Sequence, residues 1–140
     1  MANDPAEKIT ASFQAQSMME TLGARLTHIS EGFVEIQAPI LPDCQQQHGF
    51  AHAGLTFAIG DSAAGYAALS MMPHDHEVLT SEMKIHLLSP GRGEILIARG
   101  RVIKPGRRLV IVQADVYARA DAKEVHIAML TGTMVPLPPN

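Results

Sequence analysis

The chain has 140 residues, 46% of them hydrophobic and 18% charged, with a net charge of −3. That length suits one domain with its own core, and the charge, with no Lys/Arg run or basic strip interleaved with aromatics, excludes an electrostatic case for nucleic acid. A single cysteine, Cys44, excludes an internal disulfide, and Met1 to Glu20 lacks the basic start and apolar run of a signal peptide, so the chain reads as cytoplasmic.

Residues Asp4 to Leu22 are predicted to form one helix after a short disordered lead. Asp4 and Pro5 make a cap and first-turn pair, Ile9, Phe13, Met18 and Leu22 give a partial apolar stripe, and Gly23 ends it. Ala24–Ser30 and Phe33–Pro39 are strand-like arms around Glu31-Gly32, a hairpin pattern. In the second arm Val34, Ile36 and Ala38 alternate with Glu35 and Gln37, the mark of a half-buried strand. Ile40–Phe50, with Pro42, Asp43 and three glutamines, is a loop leading to a helix that begins at Ala53 or Gly54.

From Ala53 to Met72 nearly every residue is small or apolar, Pro73 closes the run, and Asp61 is its only ionisable carboxylate. No side of such a helix can face water, so it is either a membrane span or the buried centre of a domain. A charge at the bilayer centre costs at least about 2.5 kcal/mol, and neither a Lys/Arg cluster nor an aromatic belt flanks the segment. The reading is a core helix with a carboxylate inside it and no membrane.

After the polar connector His74–Glu77, four strands are predicted. Val78–Leu88 sets Leu79, Met83, Ile85 and Leu87 against Glu82, Lys84 and His86, which puts Thr80 on the polar face. Ser89-Pro90-Gly91-Arg92-Gly93 turns the chain into Glu94–Lys104, and Pro105-Gly106 turns it again. Arg107–Arg119 alternates Val110, Val112, Ala114, Val116 and Ala118 with polar residues, and Lys123–Val135 is the last strand. The short links require antiparallel pairing. The fold class is therefore α+β: an antiparallel sheet of about six strands wrapped around the long helix. Residues 1–22 form the lead and first helix, and 23–140 the sheet-and-helix unit. Leu109, Ile111 and Met129 would leave the outer face or edges half-apolar, a surface that association normally covers.

Gln46 to Gly65, with a histidine and small residues opening a helix and an Asp nine places after that histidine, resembles the hotdog-fold acyl-CoA thioesterases, most closely the phenylacetate-degradation (PaaI-like) group. The strand Val78–Leu88 with its Ser89-Pro90, the Gly93-Glu94 pair and the Lys104-Pro105-Gly106-Arg107 turn also have counterparts in that family. The resemblance implies that Asp61 is the general base or nucleophile, and that a backbone N–H at Ala53 or Gly54 polarises the thioester carbonyl. It further implies that His52 opens the helix, that Gln46 stands where an asparagine orients water, and that Thr80 lies near the carboxylate. Asp61 and Thr80 of one subunit would face Gln46 and the helix start of another, in a homodimer expected to pair into a dimer of dimers, a homotetramer. Ser89, Arg92, Arg107 and Arg108 would hold the CoA portion of an acyl-CoA substrate, with no metal and no cofactor. Ala53 and Gln46 depart from the family's glycine and asparagine.

The chemistry suits these residue types. Thioester hydrolysis needs donors at the carbonyl oxygen, which a helix start supplies, and a carboxylate that is ionised yet poorly solvated. Each residue also has a plainer reading: Asp61 bonded to its own backbone or Ser62, His52 as a helix cap, Thr80 as an ordinary strand residue, Arg107 and Arg108 as a solvated pair. A metal at His48 and His52, or at His74-Asp75-His76, fits poorly because these lie in a loop and a polar connector, and Cys44 has no indicated partner as a nucleophile. The expected activity is hydrolysis of a small, medium or aryl acyl-CoA. A non-catalytic acyl-CoA-binding or sensing protein, and a hotdog dehydratase or hydratase, are the alternatives.

Overall fold

A computed structural model describes residues 4–140; the short lead expected before Asp4 lies outside them. Two short helices, α1 (Pro5–Ala15) and α2 (Ser17–Thr21), precede the hairpin β1 (Arg25–Ser30) and β2 (Phe33–Pro39). A 3₁₀ turn at Pro42–Cys44 leads to α3 (Ala53–Leu69), followed by β3 (Glu77–Leu87), β4 (Ile95–Lys104), β5 (Val110–Ala120) and β6 (Lys123–Leu137). The six strands form one antiparallel sheet in the order β1-β2-β4-β5-β6-β3, wrapped around α3. This is the hotdog arrangement the resemblance implied.

The small residues of α3 are what let the sheet close on it. Ile59, Ala63, Ala64, Ala67 and Ala68 are fully buried against Val34, Ile36, Ala98, Val112, Val116 and Leu130. At Gly100 the approach is backbone to backbone: a Cβ there would sit 2.3 Å from the Ala63 carbonyl carbon, so no other residue fits. Among the described residues no helix is long and apolar enough to cross a membrane.

Three expectations need correction. The first helix is not continuous: Gln16 leaves helical geometry (φ −81°, ψ 99°), and its carboxamide nitrogen instead donates to the Tyr66 hydroxyl at 2.6 Å. The side chain is thus held across the fold, while the Gln16 N–H still closes the last turn of α1 on the Phe13 carbonyl (3.0 Å). The central helix stops at Leu69, ahead of Met72, with Ser70 as its C-cap. The third concerns β3, where a bulge between Thr80 and Glu82 opposes Thr80 to Met134 but Glu82 to Thr133. One extra residue reverses which side each neighbour faces. Thr80 therefore turns toward α3, and Leu79, expected inside, is 58% exposed.

Leu109 and Ile111 are exposed as expected, and so are Ile103 on β4 and Val125 on β6. Arg99 spans Glu35 (2.9 Å) and both carboxylate oxygens of Glu124 (3.0 Å each), and Asp115 binds Arg101 and His126 beside it.

Candidate active site

β3 is an edge strand, and two clefts open along it, one near each end. The first cleft holds the carboxylate. Asp61 projects from the middle of α3 and accepts a hydrogen bond from the Thr80 hydroxyl at 2.8 Å, its only side-chain partner among the described residues. Burial pushes the Asp61 carboxyl above the ordinary aspartate range, and the Thr80 hydroxyl pulls it partly back. The group is neither satisfied by backbone nor bonded to Ser62; one face of it opens into the cleft. Sequence reasoning missed the far wall of this cleft, where Ser12 and Gln16 meet Tyr66. A contact across so long a stretch of chain leaves no local signal.

The second cleft holds the start of α3. Gln46, Phe50, Ala53, Thr56, Leu87 and Ser89 line it. His52 is the N-cap, its Nδ1 accepting the Gly54 N–H at 2.7 Å, so its observed part is the capping one. That bond occupies the Gly54 amide and leaves the Ala53 N–H, which has no partner among the described residues, as the open donor. Gly54 has a different use: a Cβ there would meet His52 Nδ1 at 2.9 Å and disrupt the cap. The Gln46 side-chain oxygen accepts from the His48 N–H (2.5 Å) and the Phe50 N–H (3.3 Å). These bonds fix the amide's orientation and leave its nitrogen as the outward group, a donor.

The four residues expected to hold the nucleotide end separate into two places. Ser89 lines the second cleft, and the Arg92 guanidinium stacks 4.6 Å from the centre of the Phe50 ring. Arg107 lies at the opposite end of α3, in a hollow with Met72, His76 and Pro136, and Arg108 is exposed beside it. His48, His52 and His74 gather with no set of metal-ligating residues among those described.

Charge and donors are thus complementary but apart. Asp61 is eight residues beyond Ala53, about 12 Å along a helix axis. A carbonyl group must come within roughly 3 Å of both an oxyanion donor and its attacking group. One chain cannot present both to the same carbonyl.

A family model described as the thioesterase superfamily matches residues 48–125. A thioesterase family protein from Silicibacter pomeroyi is 43% identical and superposes with a TM-score of 0.94 over 96% of this chain and 99% of its own. The PaaI protein of the E. coli phenylacetic acid degradation operon is 19% identical, with a TM-score of 0.87 over 98% and 96% of the two chains, a likeness of fold. A mutant form of the phenylacetic acid degradation protein PaaI from Thermus thermophilus is 26% identical, with a TM-score of 0.73 over 86% and 98%.

Proposed function

Since the chain belongs to the thioesterase superfamily and is a thioester hydrolase, we propose that its substrate is an acyl-CoA with a small, medium or aryl acyl group, hydrolysed at a site shared by two copies. The observation that carries this reading is the separation of Asp61 from the free Ala53 N–H along one helix, with each in its own cleft on the same free strand edge. Antiparallel pairing of two β3 edges about their midpoint brings the Thr80 end of one strand opposite the Leu87–Ser89 end of the other. It also satisfies two rows of unpaired backbone groups and covers Leu79 and Leu87, 58% and 60% exposed. The working unit is then a homodimer, and we extend it to a dimer of dimers in the cytoplasm.

In this site the thioester carbonyl lies against the Ala53 N–H of one copy, with the Gln46 carboxamide nitrogen as a second donor and the helix dipole adding partial positive charge. Asp61 of the other copy takes a proton from water as the new oxygen–carbon bond forms, or attacks the carbonyl itself. In the second route the acyl group is left on Asp61 as an anhydride, which water then cleaves to the free acid and the restored carboxylate; each route places an oxyanion on the same donors. Its collapse breaks the carbon–sulfur bond, and the departing CoA thiolate recovers a proton. Thr80 holds Asp61 in place and favours its charged form. In this reading Ser89 and Arg92 of one copy and Arg107 and Arg108 of the other meet the nucleotide end. No step needs a metal or cofactor.

The test is thiol release across a panel of acyl-CoAs with wild type and Asp61→Asn. Loss of about 10²- to 10⁴-fold in kcat, the usual worth of a general base, with acyl-CoA binding retained, is the expected result. Full turnover by the variant refutes the role of Asp61, and a wild type that turns over none of the acyl-CoAs refutes the proposed substrate class.

A further inference from the structure

The cleft beside Asp61 runs on along α3, and its shape rests on a residue with no part in the chemistry. Gly65 is one turn beyond Asp61 on the same face of the helix, and both line this cleft of about 280 Å³. Glycine in a helix interior is disfavoured relative to alanine. At Gly100 the packing explains the glycine, but at Gly65 it does not: a Cβ there would lie 3.7 Å from the Met134 methyl carbon, an ordinary contact. What the missing side chain preserves is the open space in front of it.

That space has a built end. The Tyr66 hydroxyl, on a ring only 5% exposed, is 2.9 Å from the Ser12 hydroxyl and accepts from the Gln16 carboxamide at 2.6 Å. α1 is fastened over it by buried Ile9, by Phe13 edge-on to Tyr66, and by the Lys8 ammonium, which donates to the His74 and His76 carbonyls. The wall is packed into the fold through these contacts.

We infer that Gly65 is a specificity-determining residue: its bare backbone leaves the berth for the acyl arm, and the Ser12–Gln16–Tyr66 cluster closes that berth. The inference rests on the acyl-CoA reading above. From Asp61 to Leu69, the last α3 residue in the cleft, is eight residues, about 12 Å. The berth therefore takes a short or medium alkyl chain or a single aromatic ring and rejects a long fatty acyl group.

The experiment measures kcat/KM for acetyl-, butanoyl-, hexanoyl-, phenylacetyl- and dodecanoyl-CoA with wild type, Gly65→Ala and Gln16→Ala, alongside thermal midpoints. Wild type should accept the first four and discriminate against dodecanoyl-CoA by at least tenfold. Gly65→Ala should lower the hexanoyl-to-acetyl ratio by tenfold or more while melting no lower than wild type, and Gln16→Ala should raise the relative rate on dodecanoyl-CoA. An unmoved chain-length profile in Gly65→Ala, or a fall in its melting temperature, overturns the inference while leaving the thioesterase reading intact. Absence of wild-type turnover on every acyl-CoA overturns both, and is a different result.

Discussion

Replacing Ala53 with proline removes one hydrogen-bond donor and puts the ring Cδ where its hydrogen was, with little other effect on the fold. Ala53 is the first residue of α3, the position where proline is favoured because its fixed φ suits the helix and the N–H it lacks is unpaired anyway. His52, which precedes it, already has the extended backbone (φ −64°, ψ 141°) that a following proline requires. The Ala53 N–H has no partner to lose among the described residues, and the His52–Gly54 cap is untouched. Stability should therefore change by no more than about 1 kcal/mol, with the stiffer unfolded chain acting in favour of the variant. If that N–H receives the oxyanion, kcat should fall about 10²- to 10³-fold, or roughly 2.7–4 kcal/mol of barrier. The fall should be mostly in kcat, because the bond strengthens in the transition state. Ala53→Gly keeps the N–H and is the control for a change of side chain at this position. Steady-state thiol release with a thermal melt reads both quantities. A proline variant that melts like wild type and turns over within threefold of it would refute the assignment.

Three other perturbations test separate links. Asp61→Asn should melt no lower than wild type at neutral pH. A carboxyl whose pKa is raised by burial contributes stability below its unfolded value, near 3.9 for aspartate, and loses it as pH rises through the folded one. The difference between the two proteins should therefore vanish in acid. Thr80→Val removes the donor that pulls Asp61 back down, so the acid limb of kcat/KM should move to higher pH; a limb that stays in place contradicts the 2.8 Å contact as a tuning bond. Gly100→Ala forces a methyl group into the Ala63 backbone and should cost several kcal/mol, seen as a melting point lower by about 10 °C or more or as failure to fold.

Much of the fold was legible because the relevant signals are local. Alternation at Val34, Ile36 and Ala38, and again from Val110 to Ala118, marks strands wherever one face is buried, and both strands formed. The all-round apolar character of α3 could be satisfied only at the centre of the sheet. What stayed hidden depends on partners far along the chain. The bulge that turns Thr80 inward is set by how β3 registers against β6, and nothing in Leu79-Thr80-Ser81-Glu82 announces it. Likewise the break at Gln16 is favoured by Tyr66, fifty residues on. At the site, Asp61 stood out as the lone carboxylate of an apolar helix. Which amide is free at the helix start was not legible, because it depends on the direction of the His52 ring.

Subunit complementation examines the shared site most directly. If the site is shared as proposed, Asp61→Asn and Ala53→Pro each damage one half of it, so a dimer carrying one of each holds one site with both lesions and one with neither. Coexpressed with different tags and purified as hetero-pairs, the two variants should recover roughly half of wild-type turnover per pair, as expected for a two-fold symmetric dimer with two sites. Hetero-pairs no more active than either parent, or an inability to form them at all, would contradict a site built from two chains.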